Sequence, residues 1–342
     1  MKSRRGAVGL AIAVAVGLVV FVNRGRIDFD WAEFWRQLRH VGWAHIAVGT
    51  ALIYATYWLR AVRWSVFLSA TKKVSPFVLV GPQFIGFTAV AFFGRLADVA
   101  RPALVARRVG LSVSSQVAVY TIERMFDLGA AALIFSGALL FVPRSLPHHE
   151  VFVRTGLLSL GGTAAIAAFA VAEVAGTALG WLSKPMGESV AGKIRGFRAG
   201  LNAVNSAGEF AVAATLSLAM WGMIGGAYVE TLHAFVETPQ LAAIGFSSTM
   251  LLMGASIGGS LLQLPVVGWF TQITVTAAAM HEFYGAPVAD ATACGALLLA
   301  VTFLSIIPAG LVFARLEHVS LKKMAAESGG AGGPDADEQP GG

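Results

Sequence analysis

Long apolar blocks separated by short polar connectors dominate the chain. They fall at Gly6–Val22, Trp43–Val62, Phe77–Phe93, Ser115–Val142, Phe152–Ala172, Phe210–Val229, Leu241–Leu264, Val266–Tyr284 and Val288–Phe313. A block of about 18 or more apolar residues reads as a helix crossing a bilayer, not as a buried core helix. The pattern predicts an all-α, polytopic integral membrane protein of about seven to nine hydrophobic segments. This domain occupies residues 1–316. The stretch 317–342 (EHVSLKKMAAESGGAGGPDADEQPGG) cannot bury enough apolar surface to offset ordering entropy and is expected to be a disordered cytoplasmic tail. The first block follows MKSRR and precedes VNRGR, a poor cleavage region, so it reads as an uncleaved signal-anchor helix.

Basic residues set the expected orientation. Lys2, Arg4 and Arg5 place the N-terminus in the cytoplasm, as do Arg60, Arg63, Lys72 and Lys73 for the end of the second block. Lys184, Lys193, Arg195 and Arg198 mark a further cytoplasmic connector, within a stretch Glu173–Glu209 that reads as a surface helix pair. Arg315, Lys322 and Lys323 mark a cytoplasmic C-terminus. The connector NRGRIDFDWAEFWRQLRH should be external yet carries four arginines, which fits the rule poorly.

This count forces Phe77–Gly110 to enter and leave on the same side. The segment holds Gly81, Pro82, Gly86, Gly94 and Pro102, which suits a broken, re-entrant pair of half-helices. A second region, MGASIGGSLLQLPVVGWFTQITVTAAAMHEFYGAPV, shows the same grammar around Pro265 and enters from the opposite side. Two interrupted segments of opposite sense are the sequence pointer to an inverted-repeat transporter, with ordinary kinked helices as the alternative.

Composition agrees: 56 % of residues are hydrophobic, 13 % are charged and the mean hydropathy is +0.70. Soluble domains carry about 25 % charged residues. The net charge of +6 belongs to span flanks facing anionic lipid, not to nucleic acid, because no basic stripe carries interleaved aromatics. Cys294 is the only cysteine, so no internal disulfide is expected. Trp31, Trp35, Trp43, Trp58 and Trp64 suit interfacial aromatic belts. Asp28–Asp30 lacks a nucleotide-binding domain, His148, His149 and Glu150 are too close in sequence to share a metal, and no P-loop is present. Neither cofactor nor metal is expected, and no enzymatic activity.

The chemistry concentrates in GRLADVARPALVARRVG and the following YTIERMFDL. Arg95, Asp98 and Arg101 are spaced by three, and Glu123 and Asp127 by four, so each set shares a helix face. Ionisable groups at membrane depth persist mainly when paired or facing a polar cavity. Two readings stand side by side. Arg124 pairs with Asp98 to clamp the hairpin, or the arginines receive a phosphate, whose oxygens suit the planar guanidinium fork.

These residues resemble the lysylphosphatidylglycerol synthase transmembrane region, also called the flippase-like membrane family. That family carries Pro-Gly-Arg-x-Gly-Glu-x-x-Arg before a helix bearing Glu-Arg-x-x-Asp. Arg95, Arg101, Glu123, Arg124 and Asp127 match, and Asp98 stands where Glu is usual. In the second signature Pro265 and Gly268 match, Trp269 replaces a glycine and Gln272 stands near the expected Glu. The early Arg-x-x-Arg-Trp matches at Arg60, Arg63 and Trp64. The resemblance implies translocation of a lipid, either a phospholipid or a polyprenyl-phosphate-linked sugar, across a bacterial inner membrane. The expected substrate site is Arg95, Asp98, Arg101, Glu123, Arg124, Asp127, Pro265, Gly268 and Gln272. The family's synthases append an aminoacyl-transfer domain; none is expected here, so the alternative is an accessory that presents a lipid to a separate transferase.

Overall fold

The structure, a computed structural model, describes residues 31–69, 71–94, 97–98, 100–174, 207–259 and 267–319, with the backbone alone at 166–174, 207 and 267. The expected anchor Gly6–Val22, the Asp28–Asp30 motif, Arg95, Pro265, the surface pair within 175–206 and the tail beyond Val319 lie outside the described residues.

Every regular element among the described residues is helical. They are α1 (Trp31–His40), α2 (Trp43–Leu68), α3 (Pro76–Phe93), α4 (Ala100–Val109), α5 (Val113–Leu140), α6 (His149–Val174), α7 (Ala207–His233), α8 (Pro239–Ala242), α9 (Phe246–Gly259), α10 (Val267–Tyr284), α11 (Val288–Leu299) and α12 (Ile306–Leu316). Among the described residues, three stretches are long and apolar enough to cross a membrane: Pro76–Phe93, Gly208–His233 and Val288–Leu316. The 26 residues of α2 and 28 of α5 are also long enough, because about 20 residues span the hydrocarbon. Both carry charge within their length: Arg60 and Arg63 in α2, and Glu123, Arg124 and Asp127 in α5.

Most apolar blocks become helices within a few residues of the expected ends. Two readings change. The connector before Trp43 is not a plain loop, because its described part is α1. Leu241–Leu264 is not one span: α8 closes at Ala242, and α9 begins only at Phe246.

Small residues let the backbones approach. The helices α2 and α7 run antiparallel, tied at one end by Gly42 N donating to Ala234 O (2.8 Å) and at the other by Ser69 Oγ donating to Glu209 Oε1 (2.7 Å). A Cβ at Gly49 would lie 3.3 Å from Ala227 O. The α5–α6 pair is joined by Ser136 and Ser159 at 2.7 Å.

Two shorter helix pairs fold back on themselves. Gly94, at φ 78°, ends α3, and α4 returns antiparallel to it. Lys72 Nζ donates to Val109 O at 2.7 Å, so α4 finishes beside the end where α3 began. Gly110, at φ 66°, and the Leu111 N to Ala106 O bond close α4, as a left-handed glycine commonly does. In the second pair, Thr271 Oγ1 donates to Gly259 O (2.9 Å) near the tip, and Tyr284 OH donates to Ser248 O (3.3 Å) at the base. The first pair has its base at the Leu68 end of α2. The second has its base at the opposite end, because α9 follows His233 of α7 after only a short connection.

Between α11 and α12 the helix loosens to a π turn at Ala300–Leu304, with Ser305 N donating to Ala300 O at 2.7 Å. Pro308 has no N–H to give Leu304 O, which releases the helical register here. Tyr54 OH donates to Ser305 O at 2.7 Å, at the junction with α12.

Candidate functional site

The helices α2, α3, α4 and α5 meet around four arginines and three carboxylates. Arg60, Arg63 and Trp64 share one face of α2 through their spacing of three and four. Glu123 and Asp127 share one face of α5, and Arg101 sits on α4 against α3. Gly86 makes that last approach workable, since a Cβ there would sit 3.1 Å from Arg101 Cβ.

Glu123 is the hub. Its carboxylate lies 3.0 Å from Arg63 Nη2 and from Arg101 Nη1, and 3.4 Å from Arg60 Nη1 and Arg124 Nη2. Asp127 pairs with Arg63 Nη1 (2.7 Å), Arg60 Nη1 (3.1 Å) and Arg124 Nη2 (3.1 Å). Asp98 takes Arg101 Nε at 3.2 Å and accepts from Tyr120 OH at 2.7 Å. Arg63 Nη1 also donates to Ser217 Oγ on α7, and Arg101 Nη1 to Gln83 Oε1 on α3 at 2.9 Å.

Aromatic rings close the cluster. The Arg101 guanidinium lies 4.7 Å from the Phe87 ring centre, 5.1 Å from Tyr120 and 5.3 Å from Trp64. Trp64 is buried and donates from Nε1 to Gln116 Oε1 at 2.9 Å, so it serves this cluster and not an interfacial belt. Arg63, Arg101 and Glu123 are essentially inaccessible, whereas the Arg124 side chain is 34 % exposed. Glu123 lies ten residues into α5, about 15 Å along the helix. That is half of a hydrocarbon core of about 30 Å.

The bonding leaves a surplus of one sign. Four guanidiniums face three carboxylates, so one positive charge is in excess among the described residues. Glu123 Oε2 and Asp127 Oδ1 have close ionic contacts, though no well-aligned hydrogen bond. The buried nitrogens Arg63 Nε, Gln83 Nε2, Arg101 Nη2 and Arg124 Nε have no hydrogen bond among the described residues. A buried polar group without a partner is costly, so four unspent donors in one place mark a site short of an acceptor.

Of the expected site, Asp98, Arg101, Glu123, Arg124 and Asp127 come together. The anticipated Arg124–Asp98 clamp is replaced: Arg124 turns to Glu123 and Asp127, its neighbours on α5, while Asp98 holds Arg101 and Tyr120. Gly268 and Gln272 belong to α10. Gln272 Nε2 donates to Ser256 Oγ (2.8 Å), which also accepts from Tyr228 OH (2.9 Å). No hydrogen bond or ion pair among the described residues joins this second polar set to the arginines. Arg60 and Arg63, expected as flanking cytoplasmic charges, and Trp64, expected in an interfacial belt, are instead buried in the cluster, and Gln83, Gln116, Tyr120 and Ser217 were not anticipated. A signal existed for the first three in their spacing; Gln83 had only its polarity inside an apolar run.

Helices of membrane length, arranged around charged side chains withdrawn from solvent, define a polytopic membrane protein with a buried polar cluster. The chain belongs to the lysylphosphatidylglycerol synthase TM region family, whose model matches residues 7–311. No curated protein matches the chain. Membership makes the protein a multi-pass membrane protein of a family associated with membrane lipids.

Proposed function

We propose that this protein translocates an anionic lipid, either a phospholipid or a polyprenyl-phosphate-linked sugar, and that Arg101 and Arg124 hold its phosphate in a polar cleft. One observation carries the reading: a buried cluster with one positive charge in surplus among the described residues keeps Arg101 Nη2 without a hydrogen-bond acceptor. Arginine's fork meets two phosphate oxygens at once, and charge-assisted bonds are the strong ones. Arg60 and Arg63, committed to Glu123 and Asp127, hold the carboxylates in place. The α3–α4 and α9–α10 pairs act as re-entrant hairpins, and alternating access comes from one rocking against the other. The Leu68 end, which carries Lys72, Lys73, Arg107 and Arg108, faces the cytoplasm of a bacterial inner membrane. The chain itself makes and breaks no covalent bond in this reading.

A second reading follows from the family's name, which describes the membrane part of a synthase: the chain presents a lipid to a separate transferase. Reconstitution separates the two. Purified protein alone in liposomes should move labelled phosphatidylglycerol between leaflets. Arg101→Gln should abolish movement and Arg101→Lys should restore only a fraction, because an ammonium keeps the charge but not the fork. Full movement in Arg101→Gln refutes the phosphate role, and no movement by the intact chain leaves the accessory reading.

A further inference from the structure

We propose that Gln83 is a substrate-contacting residue, which with Arg101 forms a paired-donor clamp for one phosphoryl group. The assignment rests on the lipid-phosphate reading above and extends it to a residue that no motif marks. Gln83 is wholly buried on α3, one turn from Gly86, and both face Arg101. Its amide orientation is fixed by chemistry: a guanidinium only donates, so the oxygen must be the atom facing Arg101 Nη1 at 2.9 Å. The Gln83 NH2 then points elsewhere and finds no acceptor among the described residues, as does the Arg101 Nη2 group. Because the side chains are joined at Oε1 and Nη1, the two free NH2 groups lie within roughly 7 Å. Two N–H···O bonds of about 2.9 Å to one phosphate cover that span.

Gln83 Nε2 and Arg101 Nη2 are both donors, which selects an acceptor-rich anion over a cation. The hydrogen bond from Tyr120 OH to Asp98 Oδ2 and the Tyr120 ring, 5.1 Å from the Arg101 guanidinium, close one side of the clamp. A phosphate reaching it displaces that side. The same chemistry is offered by a lipid headgroup and by free phosphate.

Substitution at Gln83 separates binding from packing. In Gln83→Glu the new carboxylate pairs with Arg101 and stands in for the ligand. The full-length variant in detergent should unfold at a higher temperature than the unsubstituted chain, yet lose its response to added ligand. Gln83→Leu should unfold at a lower temperature and respond at least about tenfold more weakly, the loss of one bond to a charged acceptor. The probes are sodium phosphate and, separately, micelles containing phosphatidylglycerol, each titrated against the unfolding midpoint. A rise with phosphate identifies a free-anion site, and a rise with the lipid alone identifies a headgroup site; both support the clamp. Titration curves for Gln83→Glu and Gln83→Leu that superimpose on the unsubstituted chain would overturn the Gln83 assignment while leaving the arginine reading intact. A silent unsubstituted chain with both probes would overturn the phosphate reading itself.

Discussion

Neutralising Glu123 should cost more stability than any other single change in the cluster. Its carboxylate lies within 3.4 Å of guanidinium nitrogens from Arg60, Arg63, Arg101 and Arg124. Glu123→Gln preserves the shape but removes the charge, so four guanidiniums then face two carboxylates. The new amide also turns an NH2 toward other donors. Removing one partner from a buried ionic set costs about 3–5 kcal/mol. Retained contacts at the amide oxygen place the expected loss near about 3 kcal/mol. Against a total of about 5–15 kcal/mol, that lowers the folded-to-unfolded ratio more than a hundredfold. The assay is equilibrium unfolding in mixed micelles followed by near-ultraviolet dichroism. Arg101→Gln in the same chain restores the original charge surplus, so the double variant should recover at least about 1 kcal/mol relative to the sum of the singles. A Glu123→Gln loss within about 0.5 kcal/mol, the range of surface substitutions, together with additivity, would refute the idea that charge balance holds these helices together.

Three further outcomes follow from the packing and the surface. Gly310→Ala places a Cβ 2.7 Å from Phe84 O, a backbone atom that cannot step aside, and should lower stability by about 1–3 kcal/mol in the same unfolding assay. Trp64→Phe leaves Gln116 Oε1 without its buried donor and should cost about 1–2 kcal/mol; an unchanged midpoint would mean that bond is not made in the membrane. On α1, hydrogen bonds from Arg36 and Gln37 depress the Glu33 pKa from 4.5 to about 2. The ionised carboxylate stabilises helix α1 itself above pH 4.5, and this contribution is lost as pH falls toward about 2. Hydrogen exchange across α1 should therefore stay protected at pH 4 (an exchange-corrected comparison), and release already near 4.5 would contradict the pairing with Arg36.

The helices were legible wherever apolar residues ran long enough, as at Pro76–Phe93, because burying or immersing such a run in lipid leaves the backbone few alternatives. Helix α1 was not. In ten residues it exposes Trp31 and Trp35 while Phe34 and Leu38 pack on the core, and so short a mixture does not outweigh its charges in a hydropathy reading. The break before Phe246 was hidden for the opposite reason. Leu241–Ile244 is as apolar as the helix beyond it, and the turn closes through Ile244 N donating to Leu241 O at 3.1 Å, with His233 Nε2 3.3 Å from Ile244 O. Within the site, the α5 spacing announced Glu123 and Asp127 as a face, and the arginine motif announced α2. What spacing cannot give is the partner across helices. Arg124 had Asp98 as a plausible partner, but it pairs with its own helix, and Arg101 found Gln83, 18 residues away, only because α4 folds back along α3.

Whether a lipid phosphate reaches Arg101 decides the function proposed for this protein. Its most direct test is the protein structure determined in nanodiscs of phosphatidylglycerol. We expect a tetrahedral density within hydrogen-bonding distance of Arg101 Nη2, with acyl chains leading out past Arg124. Headgroups confined to the membrane surface, with Arg101 Nη2 bonded to ordered water or to the protein, would contradict it.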